Sequence, residues 1–365
     1  MEQKKLIDCC EFISDGDHLS PPKSNSGIPF ITISNITEQN KISFKDTMYV
    51  PYEYYNNLGQ TKKVRVGDIL YSVVGSFGKP VYVDFNEKFV FQRHIAILRP
   101  KNNVNGKFLY YTMLNSQFYK LMDKLAIGCS QRTVTLDTLR NVEIELPDKE
   151  TQDKIVSVLT FIDEKITLNS QINDNLAAMA YDTYMHTFYG KKPNGKLNDI
   201  LVENDKSKVQ VGEAKESDGN YPFFTSGEAI LRWKENFVDD RNCFLNTGGN
   251  ADVKFYVGKA AYSTDTWCIS ANRNLSDYVY LLLLSIKPEL DKKFFQGTGL
   301  KHLQKPLLRD RPIYIPDTDE ISAFNSRVQH LFDIIAENTR ENQHLKSLRD
   351  WLLPMLMNGQ ATIED

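Results

Sequence analysis

The chain is short of the residues and patterns that usually mark a chemical site. Its 365 residues include five cysteines, an odd number; Cys9 and Cys10 are adjacent, and no pair is spaced C-x-x-C. That usage excludes a disulfide framework and a paired-thiolate zinc or redox site. The six histidines are scattered, so no metal site is expected. No apolar run approaches a membrane span, the longest lying around Tyr278 to Ile286. The opening Met1-Glu-Gln-Lys-Lys-Leu-Ile-Asp8 lacks the apolar region of a signal peptide, so a cytoplasmic protein is expected.

Nucleotide motifs are missing too. There is no G-x-x-x-x-G-K-[ST] loop, and Asn246-Thr-Gly-Gly-Asn250 lacks the Rossmann spacing and reads as a turn. Ser20-Pro-Pro-Lys23 shares only its prolines with the Asn-Pro-Pro-Tyr motif of adenine methyltransferases. Pro147-Asp148 followed by Asp163-Glu-Lys165 imitates a metal-dependent nuclease motif, but Asp163 and Lys165 fall on a predicted helix where that motif needs paired strands. No Ser/His/Asp or Cys/His set can be assembled from sequence neighbours, which leaves spatial triads open.

Excess charge is also absent, with 44 Lys and Arg against 47 Asp and Glu. The distribution is uneven: residues 1–148 carry 18 basic against 16 acidic side chains and 190–318 carry 19 against 17, whereas 149–189 carry 3 against 6 and 319–365 carry 4 against 8. Weakly basic heads on acidic rods are neither a strongly basic DNA binder nor an acidic tail. If nucleic acid is the ligand, partner subunits must supply much of the phosphate neutralisation that dominates affinity.

What is present is a repeat. With Gly128 set on Gly297, an offset of 169 residues, the register holds without a gap from Asn105/Asn274 to Met179/Leu348. Tyr111/Tyr280, Leu114/Leu283, Leu121/Leu290, Arg140/Arg309, Ile144/Ile313, Pro147/Pro316, Ile166/Ile335, Asn169/Asn338 and Asn173/Asn342 are among the identities. Upstream the copies need gaps, with an echo in Asp68–Gly75 against Asn242–Gly249. The period is far longer than the ~20–50 residues of a solenoid, so each copy is expected to be a globular domain plus a helical arm.

Within the first copy, 28–36, 69–74, 80–85 and 89–98 read as strands of a mixed or antiparallel sheet, rich in β-branched and aromatic residues. Phe108 to Leu125 reads as one helix, Gly128 to Thr133 as a loop and Val142 to Leu146 as a strand ending at Pro147. The second copy repeats this with strands at 221–225, 243–245, 253–257 and 267–270, a helix over 276–295, a loop at 297–302 and a strand at 312–315. In the first arm Ile155, Leu159, Ile162, Ile166, Asn169, Asn173, Leu176, Ala180 and Thr183 are spaced 4-3-4-3, the alternation of a coiled-coil seam. Phe324, Val328, Leu331, Ile335, Asn338, Asn342 and Leu345 repeat it in the second. Each seam turns polar at two consecutive positions filled by Asn, a residue that weakens packing and fixes register. The alternative is that these Asn face solvent. Antiparallel arms would place Asn169 near Asn342 and Asn173 near Asn338, with the heads at opposite ends of a rod.

Gly67-Asp-Ile-Leu-Tyr-Ser-Val-Val-Gly-Ser-Phe-Gly-Lys79, Phe91-Gln-Arg-His-Ile-Ala-Ile-Leu-Arg-Pro100, Gly128-Cys-Ser-Gln131 and Ile144-Glu-Leu-Pro147 leading to Gln152-Asp-Lys-Ile-Val156 and Phe161-Ile-Asp163 resemble the specificity subunits of Type I restriction–modification enzymes. The second copy departs from that pattern, with Leu300 in place of the loop Gln and Ile321 in place of Gln152. The resemblance implies an α+β protein with two tandem, pseudo-symmetric target-recognition domains, 1–148 and 190–318. Two long antiparallel coiled-coil arms, 149–189 and 319–365, join them. It implies a non-catalytic subunit that reads a bipartite double-stranded DNA target and recruits two methyltransferase subunits and restriction subunits. No cofactor is expected on this chain; S-adenosylmethionine, ATP and Mg are expected on the partners.

The expected DNA contacts are polar and basic loop residues: Lys23, Ser24, Asn25, Lys62, Lys63, Ser76, Lys79, Arg93 and Arg132 in the first copy. The second offers Arg232, Lys234, Asn246, Asn250, Lys254 and Lys301. Two other readings remain open: a recognition subunit of a different multi-subunit restriction or methylation system, and a two-headed protein scaffold.

Overall fold

In the structure, a computed structural model, residues 2–363 are described apart from Leu19, Glu38, Ser130 and Asp218. The chain divides into two compact units, residues 1–165 with 344–365, and residues 166–343.

The centre of the first unit is a four-stranded antiparallel sheet of β1 (Cys10–Asp15), β2 (Ile69–Ser72), β3 (Pro80–Tyr82) and β4 (Ile95–Pro100), in the order β1-β4-β2-β3. Strands β2 and β4 read as unbroken apolar runs because both faces are covered. Ile69, Tyr71, Ala96 and Leu98 face a helical layer with Phe108, Leu109 and Phe118, and Leu70, Ile95 and Ile97 face the side of Ile31, Phe89 and Phe91. A second, mixed sheet supplies Ile31 and Phe91, with Phe89 just before its last strand: Ile28–Ile31 lies antiparallel to Met48–Val50 and parallel to Val90–Phe91.

The second unit repeats the plan. Strands β5 (Leu201–Glu203), β6 (Arg241–Asn246), β7 (Val253–Val257) and β8 (Thr266–Ala271) run antiparallel in the order β5-β8-β6-β7, the same connectivity as in the first unit. Tyr221–Phe224 lies antiparallel to Ile230–Trp233 and parallel to Ala261–Tyr262. The part of the copies whose sequences diverge therefore keeps its topology. What the heads share is an alternation of buried positions, which many side-chain sets satisfy.

The helices differ from the expectation. Gly106–Leu114 and Ser116–Leu125 are two helices, broken at Asn115, whose backbone is extended and whose side chain accepts from Gln117 N–H to cap the second. Both bury apolar residues in the same core, so the helical spacing runs across the break. In the second unit the helix ends at Ser285 and the chain continues through a short turn at Lys287–Glu289 into a π turn at Leu290–Phe294. The expected strands at 28–36 and 89–98 are shorter as well: the first ends at Ile31 before a 3-10 turn, and the second is split into Val90–Phe91 and Ile95–Pro100.

The arms are single helices, Lys149–Thr187 and Thr318–Met357. In the first unit Leu353, Leu356 and Met357 join a core that contains Ile155 and Leu159. In the second, Ala180, Tyr184 and Phe188 pack with Tyr278 and Phe324. Tyr184, not Thr183, takes the buried position after Ala180, so the seam widens to steps of four where it meets the head. Thr183 instead donates to Met179 O. Each head thus encloses the start of one arm and the end of the other.

Two glycine turns recur at matched places. Gly128 (φ +97°) and Gly297 (φ +150°) take left-handed conformations, and a Cβ would lie 2.6 Å from Gln131 O in one and 2.5 Å from Leu300 O in the other. Gly128→Ala and Gly297→Ala should each destabilise by about 1–3 kcal/mol through backbone strain. Gly59→Ala, where nothing lies within 4 Å, should stay within roughly 0.5 kcal/mol. Urea unfolding midpoints of the three variants decide this; a Gly297→Ala midpoint equal to that of Gly59→Ala would contradict it.

Candidate nucleic-acid interface

In the first unit the loops at the end of β2 are stitched together by backbone hydrogen bonds. Val73 N–H donates to His94 O (2.9 Å), Gly75 N–H to Arg132 O (2.9 Å) and Val134 N–H to Val73 O (2.9 Å). The same frame stands at the end of β6: Thr247 N–H donates to Asp265 O (3.0 Å), Gly249 N–H to Lys301 O (3.0 Å) and Leu303 N–H to Thr247 O (3.0 Å). Bridges Val74↔Thr133 and Gly248↔His302 complete the correspondence. Three stretches distant in sequence form one loop cluster in each head on the same backbone hydrogen bonds, which leave the side chains on it free to differ.

The expected contact residues divide. Ser76, Lys79 and Arg132 lie in the first cluster beside Arg93, which precedes His94 in the adjoining turn. Arg132 is ion-paired to Asp123, and its guanidinium lies 5.9 Å from the Phe77 ring centre. Phe77 in turn stacks on Tyr119, with ring centres 5.8 Å apart. Ser130, in the same loop, lies outside the described residues. Lys62 approaches Asp17 at 3.5 Å, and Asp17 also accepts from the Tyr54 hydroxyl. Lys63 donates to Asn56 O (2.8 Å) and lies over the Tyr55 ring. Lys23 and Asn25 are exposed beside Ser24, whose N–H donates to Tyr49 O (2.8 Å).

In the second unit Asn250 and Lys301 sit in the loop cluster, and Lys301 pairs with Asp291 at 3.1 Å. Asp291 also accepts from Ala251 N–H at 3.1 Å. These bonds, the backbone one foremost, hold the Asp291 carboxyl below its ordinary range. Arg232 and Lys234 lie on and just after Ile230–Trp233, with Lys234 over the Trp233 ring.

Two of the expected contact residues are engaged within the chain. Asn246 is buried; its amide donates to Gly248 O (2.7 Å) and Asn250 O and its carbonyl accepts from Asp252 N–H (2.7 Å), so it shapes the loop and has no group left for a base edge. Lys254 donates to Thr225 O (2.9 Å) and Gly227 O, closing the neighbouring turn, and burial lowers its pKa despite Asp252 nearby.

The expected contacts did not include Gln131, His94 and Tyr119 in the first cluster, or Leu300 and His302 in the second, although Gln131, His94 and Leu300 stand in the motifs compared above. Leu300 is 65% exposed, at the position of Gln131. Their proximity comes from the backbone frame, which no local spacing reveals.

Where the heads meet their arms the chemistry differs. Tyr111 donates to Asp163 (2.8 Å), which also accepts from Arg349 (2.8 Å), so the acid of the nuclease-like pattern is consumed in a structural network on a helix. The matched Tyr280 and Phe332 form an aromatic cluster with Phe255. Gln152 donates to Pro147 O (2.8 Å) and accepts from Asn105 N–H (2.9 Å), while Ile321 in its place is buried. Asn325, one turn later, donates to Asn274 O (2.9 Å), restoring the tie to the residue matching Asn105. Arg241 pairs with Asp277 (2.6 Å) and with Asp333 on the second arm. Burial raises the Asp277 carboxyl to about 6, against the opposing pull of Arg241.

Between the arms Asn169 donates to Asn342 Oδ1 (3.0 Å) and Asn338 donates to Asn173 Oδ1 (2.8 Å). Asn169 also reaches Glu341 (2.6 Å), and Asn342 reaches Ile166 O (3.3 Å). The helices run antiparallel here, and the amides face one another.

Two topologically identical heads, each with a loop cluster on one backbone frame and each continued by a long helix, define a tandem two-headed recognition protein. Residues 1–178 and 191–347 both match the Type I restriction modification DNA specificity domain, and the chain belongs to that family. It is 31% identical to the Type I restriction enzyme HindI specificity subunit of Haemophilus influenzae, covering 83% of this chain and 88% of that one. It is 23% identical to the putative type I restriction enzyme MjaX specificity subunit of Methanocaldococcus jannaschii, over 100% of this chain and 94% of that one. In fold it resembles the S subunit of a Type-I restriction-modification system from M. genitalium, with a TM-score of 0.59 at 14% identity over 98% and 96% of the two chains. No helix among the described residues is long and apolar enough to cross a membrane.

The Asn layer has a measurable consequence. Asn169→Leu alone should lower stability by about 1–3 kcal/mol, because it removes a partner from the buried Asn342 amide. Replacing Asn169, Asn173, Asn338 and Asn342 together by Leu should raise the melting temperature while loosening register. A quadruple variant that melts with the native protein would show that the layer carries no such cost.

Proposed function

We propose that this chain is the non-catalytic specificity subunit of a Type I restriction–modification complex and reads a two-part DNA sequence, one half with each head. The observation that carries this reading is the loop cluster built twice on one backbone frame with different exposed side chains on it: Ser76 and Gln131 in one head stand where Asn250 and Leu300 stand in the other. A shared frame docks two heads alike on a duplex, and differing side chains let them read different bases. The near-neutral heads call for help with phosphate neutralisation. Two methyltransferase subunits, recruited through the arms, would provide it, with restriction subunits joining that core. The modifying chemistry belongs to the partners, with S-adenosylmethionine on the methyltransferase and ATP and Mg on the restriction subunits, and the assembly acts in the cytoplasm.

The test is to incubate the chain with its cognate methyltransferase subunit, S-adenosylmethionine and genomic DNA, and to map modified adenines. One two-part sequence should emerge, and the chain alone should modify nothing. Alanine at Lys23, Asn25, Ser76, Lys79 and Arg93 together should relax or weaken only the half read by the first head, at ~1–3 kcal/mol for each base-reading side chain removed. Modification of both halves at native efficiency would sink the assignment, and modification without sequence preference would favour a scaffold.

We also propose that the arms set the gap between the two halves. A heptad inserted after Asn169 and another after Asn338 keeps the seam facing inward and adds roughly 10 Å of helix. That is about three base pairs at ~3.4 Å each. The modified sequence should keep both halves and widen the gap, with some loss of activity. An active insertion variant with the original gap would defeat the idea.

A further inference from the structure

Building on the DNA-reading function, we infer that Arg132 and Lys301 grip the sugar–phosphate backbone at equivalent places in the two half-sites, leaving base choice to the side chains around them. The two residues occupy the same position of the repeat, at the offset of 169. Their carbonyls accept from Gly75 and Gly249 at 2.9 and 3.0 Å, and the loops that carry them turn at Gly128 and Gly297. Each cation is steadied by an acid from the helical segment just before it, Asp123 for Arg132 and Asp291 for Lys301. The acid comes from one register position earlier in the second head, where the helix has widened into a π turn. Both side chains remain 41% exposed.

What is kept and what changes at this position points to the ligand. At a base edge the rigid planar Arg fork sets two donors against the guanine acceptors, and a lysine, which can also reach them, does so as a flexible point charge, so the two are not interchangeable there. A phosphate accepts either cation, since charge at the right place suffices. Between the heads the charge, the loop and the acidic anchor persist while the fork does not. The neighbours show the opposite behaviour: His94 faces Asp265, Ser76 faces Asn250, Phe77 faces Ala251, Gln131 faces Leu300 and Thr133 faces His302. Phe77 and Ala251 are buried in the cores of their heads. Chemistry that differs at the other four places suits base reading, and the cation that persists among them suits the part of DNA that is the same everywhere.

The experiment uses the chain assembled with its methyltransferase subunits, a duplex carrying the mapped sequence and an unrelated duplex, with affinity followed against salt. Arg132→Gln and Lys301→Gln should each weaken both duplexes by the same factor and reduce the slope of log affinity against log salt by about 0.9, the double variant by about twice that. The mapped sequence should not change. Arg132→Lys and Lys301→Arg should keep the native slope, which separates removal of a cation from failure to fold. An unchanged slope in the Gln variants, or a changed base at any position in the Arg132→Lys variant, overturns the inference. If the native assembly shows no preference between the duplexes, the DNA-reading function itself fails, and that outcome is distinct from either of these.

Discussion

Asn169 and Asn342 face each other across two antiparallel helices in a setting where neither can find water, with 1% and 9% of their surfaces exposed. A one-turn slip of either helix would set an amide against an apolar side chain and leave buried polar groups unpaired. The register they favour decides which residues arrive where the helices meet the heads. In the second unit these are Ala180, Tyr184 and Phe188, and in the first Leu353, Leu356 and Met357. Within the second unit a polar contact that is poor for stability therefore sets the register in which arm residues complete an apolar core.

The heads show how far sequence can drift while a shape persists. Their sheets share strand order and direction although the strands need gaps to align, because a sheet covered on both faces asks only for apolar residues in alternation. Polar ties are replaced locally. The Tyr111–Asp163–Arg349 network gives way to the Tyr280–Phe332–Phe255 aromatic cluster, and the Gln152 tie moves one turn along to Asn325. The backbone frame of the loop clusters is not replaced: the same three bonds, between matched residues, stand in both heads.

That division suits a protein that must present two different surfaces to one kind of partner. Left-handed glycines and backbone bonds make the platform, so altering a loop side chain leaves its support intact. Groups spent on backbone carbonyls and amides, such as Asn246 and Lys254, belong to the platform even though their residue types suggest DNA contacts. Fitness for recognition here is a matter of which polar groups the fold leaves exposed on the loop clusters, and composition alone is silent on that.

The repeat, the arms and the order of strands and helices were legible in the sequence because they rest on periodicity, a local property that burial enforces residue by residue. The 4-3-4-3 spacing placed Asn169 opposite Asn342 with no knowledge of either head. Asn115 escaped because the apolar spacing continues through the break, both helices lying on one core. Strand β1 and the β5 edge strand were not read at all; few of their residues are buried, and Glu11, Asp15 and Glu203 interrupt the apolar pattern that made the other edge strands, β3 and β7, legible. The loop clusters were beyond reach for a different reason. Gly75, His94 and Arg132 come together through bonds between backbone atoms that every residue carries, so no side chain signals the encounter. Only the tertiary structure decides which of their neighbours remain free to meet a ligand.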